Sequence, residues 1–262
     1  APCAYQTSYE ALQNQFLLPS STVSWEIQDE KRSSVNASID DLRIVQSLYE
    51  ASEKFDHPRY AKEGDRIARA LVNYQWKDGV LVDFYDATYQ NASEQVTLSY
   101  YNIEAFQSLY TRKLLTSAQW QSIVKLMTDL PMKGPFYPKM WENEQKQFVW
   151  DDEVNIIDQA YISLNRARLG LDDPFYSFVR TYAETNGKVE GRFHRETVKP
   201  SVSYESPAVY ALLAEIARLK KDAYRWEVHL DDLRNEDGLF IDRTTNDYHS
   251  FDHLLVLLSE TR

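Results

Sequence analysis

The sequence predicts an all-helical protein built from paired helices that close into a ring, and three observations predict it. Apolar residues return at three- and four-residue steps along most of the chain, the period of an amphipathic helix. The helical segments come in pairs joined by short turns, a weak internal repeat of roughly fifty residues. The returns from one pair to the next are long, unlike the very short turns of open helical arrays. With only 7 Gly and 9 Pro in 262 residues, long regular elements are favoured over a many-stranded sandwich. No Pro/Gly/Ser-rich tract or charge run marks a linker, so residues 1–262 are expected to form one domain.

The elements follow in order. A helix over Tyr9 to Leu17 opens the chain, and a second spans Ile39 to Phe55, where Ile39, Leu42, Val45, Leu48 and Tyr49 form one stripe. Ser38, Asp40 and Asp41 supply its cap and first-turn acids. Pro58 starts a partner helix through Ile67, Leu71 and Tyr74. The pairing recurs as Thr97 to Tyr110 with Ser117 to Leu130, as Val154 to Leu169 with Pro174 to Thr185, and as Pro207 to Lys220 with Ala223 to Leu233. A last helix runs from about Phe251 to the end. The returns Pro19 to Asn36, Lys77 to Val96, Pro131 to Glu153, Asn186 to Tyr204 and Asn235 to His249 hold Trp25, Tyr85, Asp86, Tyr137, Trp141, Trp150, Asp151 and Asp152. Long loops on a rigid scaffold are where function concentrates.

Composition narrows the partners. A net charge of -11 opposes nucleic acid or an anionic membrane surface, because phosphate binding needs clustered Lys and Arg. The 18 Tyr and 6 Trp exceed what a core alone needs, and such amphipathic rings stack on sugars. Cys3 is the single cysteine, which excludes an intrachain disulfide and a multi-cysteine metal site. Of five histidines only His249 and His253 are four apart, with no third ligand signalled, so neither metal nor cofactor is expected. No stretch of eighteen apolar residues could span a membrane, and no export signal is recognisable at Ala1-Pro2-Cys3-Ala4, whose abruptness suggests a truncated or processed start.

The first helix of each pair begins with polar, acidic or aromatic residues: Asn36 to Arg43, Thr97 to Tyr101, Asn155-Ile156-Ile157-Asp158, and Tyr204-Glu205-Ser206-Pro207. In a closed ring of hairpins these starts converge on a cleft of acids and rings. Two carboxylates across a cleft are what glycoside hydrolysis requires, one donating to the leaving oxygen and one activating water. Each residue has a plainer reading beside this one. Asp40 and Asp41 serve equally as a cap and a first-turn charge, and Glu205 as part of a helix start. Asp158 lies in an apolar stretch, where a carboxylate is costly without a partner or a function, an Arg ion pair being the structural alternative. Trp25 is either core or a sugar platform.

At these residues a family comes into view. The segment Ala37-Ser38-Ile39-Asp40-Asp41-Leu42-Arg43-Ile44 resembles the Ala-Thr-Asp-Ala-Asp-Leu-Asp-Ile motif of glycoside hydrolase family 8, and Thr22-Val23-Ser24-Trp25-Glu26-Ile27 resembles its upstream strand-like stretch. Tyr85-Asp86, Leu98-Ser99-Tyr100, Asn155-Ile156-Ile157-Asp158-Gln159 and Tyr204-Glu205-Ser206-Pro207 agree with divergent members from bacterial exopolysaccharide operons, so the likeness covers nearly the whole chain. It implies an (α/α)6 toroid and hydrolysis with inversion, with Asp158 as general base and Asp41 holding the sugar at the cleavage point. Trp25, Asp40, Arg43, Tyr100, Tyr204 and Glu205 are then the expected sugar contacts. Ile39 and Arg43 replace acids of the usual motif, so the family's sugar specificities do not transfer. The family's proton donor is a Glu in a Ser-Glu-Gly-like motif on the first helix, which does not occur here; Ser8-Tyr9-Glu10 resembles the second helix. The expectation is a toroid lacking its first helix, with the acid upstream of Ala1.

The leading expectation is therefore a monomeric glycosidase, outside the cell or on its surface, acting on a bacterial polysaccharide or oligosaccharide. A catalytically incomplete polysaccharide-binding toroid is the second reading. A polysaccharide lyase using Tyr100 or Tyr204 as base is the third, opposed by the acidic charge. Neither the polysaccharide nor its linkage is readable from the sequence.

Overall fold

The computed structural model describes residues 2–240 and 248–260. Among the described residues ten α-helices carry the fold, and their ends follow local chemistry. The first, α1 (Pro2–Ala11), runs into a π-helical segment, Leu12–Phe16, and so begins well before the expected Tyr9. Helix α2 (Ser38–Lys54) has Asp40 and Asp41 in its first turn and Lys54 in its last, each on the side the helix dipole favours. Its partner α3 (Pro58–Gln75) starts on a proline, whose missing N–H costs nothing at that position. Helix α4 (Ile103–Thr111) starts later than Thr97, because Asn102 caps it by accepting the Ala105 amide at 3.2 Å. Thr116 and Gln119 form a reciprocal capping box before α5 (Ser117–Thr128), their side chains taking each other's amides at 3.2 and 2.9 Å.

The later helices obey the same rules. Asn155 caps α6 (Ile156–Arg168) through the Ile157 amide at 3.2 Å, and Asp173 caps α7 (Pro174–Asn186) through Tyr176 at 3.3 Å. Helix α8 (Pro207–Lys220) again opens on proline and stops where Lys221 turns left-handed at φ 55. Helix α9 (Glu227–Leu233) begins four residues after the expected Ala223, since the Asp222 side chain ties the Tyr224 amide into a turn at 3.2 Å. The last helix is α10 (Ser250–Glu260).

The chain divides into two compact units, one of Ala1–Leu126 with Met140–Gln147, the other of Met127–Lys139 with Phe148–Arg262. In the first, α2 packs between α3 and α4, and Leu42, Val45, Ile67, Leu71 and Phe106 are sealed from solvent. In the second, α8 lies against α6, α9 and α10. It is apolar on almost every side, with Ala208, Val209, Tyr210, Leu212, Leu213 and Ile216 buried, as a central helix must be.

The long returns are not plain loops. They fold into short antiparallel ribbons, pairing Ile27–Gln28 with Lys31–Arg32, Trp76–Lys77 with Val80–Leu81, Tyr85–Asp86 with Asn91–Ala92, and Gln95–Thr97 with Met140–Glu142. In the second unit Glu153–Asn155 pairs with Arg192–His194, which pairs with Lys199–Pro200. The strands Gln95–Thr97 and Glu153–Asn155 occupy what the period alone assigns to the starts of helices. Of the expected return Asn235 to His249, residues 241–247 lie outside the described residues, as do 261–262 of the last helix. No described helix is long and apolar enough to cross a membrane.

Candidate functional site

In the first unit, Ser24 bridges Asn36 and the Trp25 amide donates to the Val35 carbonyl at 3.1 Å, so the ribbon holds the indole beside the start of α2. Trp25 is 54% exposed, which settles it as a surface ring rather than core. With half-buried Asp40 and Arg43 it lines a groove of about 580 Å³ whose other walls include Tyr5, Tyr9, Phe16 and Ile44. Burial pushes the Asp40 carboxyl above its ordinary value, and the Arg43 charge draws it partly back.

Asp41 is a different case. The residue is 0% exposed; its carboxylate accepts the Val23 amide at 3.2 and 3.4 Å and the Asn36 amide group at 2.9 Å. Asn36 also donates to Gln75 Oε1 at 2.7 Å and accepts the Tyr85 amide at 2.7 Å, and Gln75 donates to the Val82 carbonyl at 3.0 Å. Desolvation holds the Asp41 carboxyl well above the usual carboxylate range, against those hydrogen bonds. The Asp41 side chain has no exposed face in this structure and joins α2 to the segments of Val23 and Asn36.

A second carboxylate escaped the sequence reading. Asp83 accepts the Thr97 amide at 2.6 Å and its hydroxyl at 2.7 Å, while its carbonyl takes the Ser38 amide at 2.7 Å. It thereby fixes the first residue of α2 and the turn Leu98–Tyr100, in which Tyr100 is half-buried. Burial raises its carboxyl to about 6. The signal available was the one that singled out Asp158, a carboxylate closing an apolar run, Val80-Leu81-Val82.

In the second unit, Asn155, Gly191, Tyr204, Glu205, His249 and Asp252 are among the walls of a groove of about 500 Å³. Glu205 is half-buried and accepts the hydroxyl of buried Tyr210 at 2.5 Å, a charge-assisted bond that fixes its carboxylate. Tyr204 is 37% exposed, and its hydroxyl accepts from Arg192 Nε at 3.1 Å. Asp252 takes the Ser206 hydroxyl at 3.0 Å and the Ala208 amide at 3.3 Å, tying the first turn of α8. Asp158 is half-buried in the first turn of α6, next to the groove-lining Ile157. His253 bonds the Phe240 carbonyl at 3.1 Å, and no metal-binding group of three or more His, Cys, Asp or Glu occurs among the described residues.

Of the expected residues, then, Trp25, Asp40 and Arg43 share one groove and Tyr204 and Glu205 another, while Asp41, Tyr100 and Asp158 line neither. No family model matches the chain. YdaJ of Bacillus subtilis (strain 168), whose name includes the term lipoprotein, is 33% identical over 98% of this chain and 73% of its own length. PssZ from Listeria monocytogenes superposes with a TM-score of 0.83 at 31% identity, over 99% of this chain and 79% of that one. Endoglucanase Cel10 of Klebsiella pneumoniae, a family 8 glycosyl hydrolase, superposes with a TM-score of 0.71 at 16% identity, over 99% and 85%. The chain belongs to the family of YdaJ and PssZ, and its fold is glycoside hydrolase family 8-like. The family 8-like fold is the all-helical (α/α)6 class, so the expected fold class holds.

Proposed function

We propose that this family 8-like protein is an inverting glycoside hydrolase that cleaves a bacterial polysaccharide outside the cell or at its surface. The observation that carries the reading is Asp158, a half-buried carboxylate in the first turn of a capped helix, three residues after groove-lining Asn155 and next to groove-lining Ile157. A carboxylate at this place is the kind of group that can act as a general base toward water. It would take a proton from the water attacking the anomeric carbon as the glycosidic bond breaks and the leaving oxygen gains a proton from an acid. Trp25, Asp40, Arg43, Tyr100, Tyr204 and Glu205 supply sugar contacts in this reading, and Asp41 positions the start of α2. The lipoprotein term in the name of YdaJ supports the location. Residues 1–262 act as one domain and as a monomer. This reading assigns no proton donor within the 262 residues.

The test is release of reducing ends from bacterial exopolysaccharide by the wild type and by Asp158→Asn. Turnover by the wild type and its loss in the variant are expected; equal turnover in both excludes Asp158 as the base. A second reading, a toroid that binds polysaccharide without cutting it, is favoured by the sealed Asp41. Retention of the polysaccharide with no new reducing ends in any preparation would select it.

A further inference from the structure

We propose that Gly191 is a positioning residue, whose missing side chain lets the Tyr204 ring lie against the backbone and form an aromatic wall of the second unit's groove. A β-carbon on Gly191 would stand 2.9 Å from Tyr204 Cδ2 and 3.0 Å from Cζ, and closer still to Cε2, inside the ring's van der Waals envelope. Gly191 is buried, and it is not among the glycines with positive φ, so space rather than backbone conformation demands glycine here.

The same residue is a junction of main chains. Its amide donates to the Tyr204 carbonyl at 2.9 Å, and its carbonyl accepts the Ile156 amide, the first of α6, at 3.0 Å. Those two bonds hold the glycine in place from both sides, so an added methyl group cannot be absorbed by moving the backbone without breaking one of them. The Tyr204 ring, already 37% exposed, is the part free to move. Its hydroxyl is steadied by Arg192, which faces Asn155 across the strand pair and reaches Glu153 at 3.2 Å. The ring is thus seated from beneath by Gly191 and at its tip by Arg192. A flat ring beside the Glu205 carboxylate suits the apolar face and hydroxyl edge of a sugar. That last step rests on the hydrolase reading; the seating of the ring does not.

The test separates the two. Gly191→Ala is measured for thermal stability on the wild type and on Tyr204→Ala, and its crystal structure is determined. On the wild type it lowers Tm by about 5 °C; with the ring removed it is neutral or stabilising, a coupling that only direct contact produces. In the crystal the ring is displaced and the Ile156–Gly191 bond kept. Equal losses on both backgrounds, or an unmoved ring, overturn the proposal. On hydroxyethylcellulose or glycol chitin, whichever the wild type cuts, Gly191→Ala raises KM about tenfold and leaves kcat within about twofold; a fall in kcat at constant KM also overturns it. If the wild type cuts neither polymer, the stability cycle and the ring position decide the role of Gly191, and the hydrolase reading is decided by turnover of bacterial exopolysaccharide.

Discussion

The first turns of α2 and α6 look alike as sequence and differ as chemistry. Each carries an aspartate a few residues after an asparagine, yet Asp41 is sealed while Asp158 is half-buried. What separates them is the asparagine. Asn155 caps its own helix through the Ile157 amide, which spends its side chain locally. Asn36 lies one residue before the N-cap of α2 and reaches over to Asp41, Gln75 and Tyr85, enclosing the carboxylate in a polar network that water does not enter. The same two residue types, five positions apart in one unit and three in the other, thus yield a structural knot in the first and an accessible acid in the second.

Substitutions break or sharpen this contrast, beginning with the largest effect. Asp158→Asn should cost about a thousandfold in turnover, whereas Asp41→Ala should lower unfolding free energy by about 3 kcal/mol by orphaning the Val23 amide and the Asn36 amide group. Urea titrations beside reducing-end assays check both, and a stable Asp41→Ala protein would erase the distinction.

Asp83 gives a smaller, pH-dependent effect. Its folded carboxyl lies near 6, above the ordinary value of 3.8, so the native state holds its proton more tightly than the unfolded chain does. The stability it contributes is therefore full below about pH 4 and lost as pH rises through about 6, by about 3 kcal/mol in all. Asp83→Asn should remove that slope between pH 4 and 6, and stability curves of the two proteins that stay parallel across the range would refute it. Tyr210→Phe removes the donor to Glu205 and the acceptor of the Val189 amide at 2.8 Å, and should cost about 1 kcal/mol in urea titrations; a neutral result would mean that Glu205 needs no anchor.

The helices were legible because their signals are local: the stripe Leu42, Val45, Leu48, the prolines at 58, 174 and 207, and the acids at helix starts. The ribbons were hidden because each strand is only two or three residues long, too short for a two-residue alternation to show. One of them left a trace, since Asp78-Gly79 sits at the two-residue turn between Lys77 and Val80, both residues at positive φ. The site was half legible. Trp25, Asp40, Arg43, Tyr204 and Glu205 reached grooves, as residues at exposed helix starts do. The burial of Asp41 depends on Val23 and Asn36 arriving from the preceding ribbon, and the role of Gly191 on a ring thirteen positions away; neither long-range contact has a signature in a single sequence.

The most direct test is a crystal structure of the Asp158→Asn protein with an oligosaccharide cut from bacterial exopolysaccharide. The account predicts a sugar ring stacked on Tyr204, within hydrogen-bond reach of Glu205, with its anomeric carbon facing position 158. Oligosaccharide bound elsewhere on the second unit, with Tyr204 and Glu205 untouched, would contradict it.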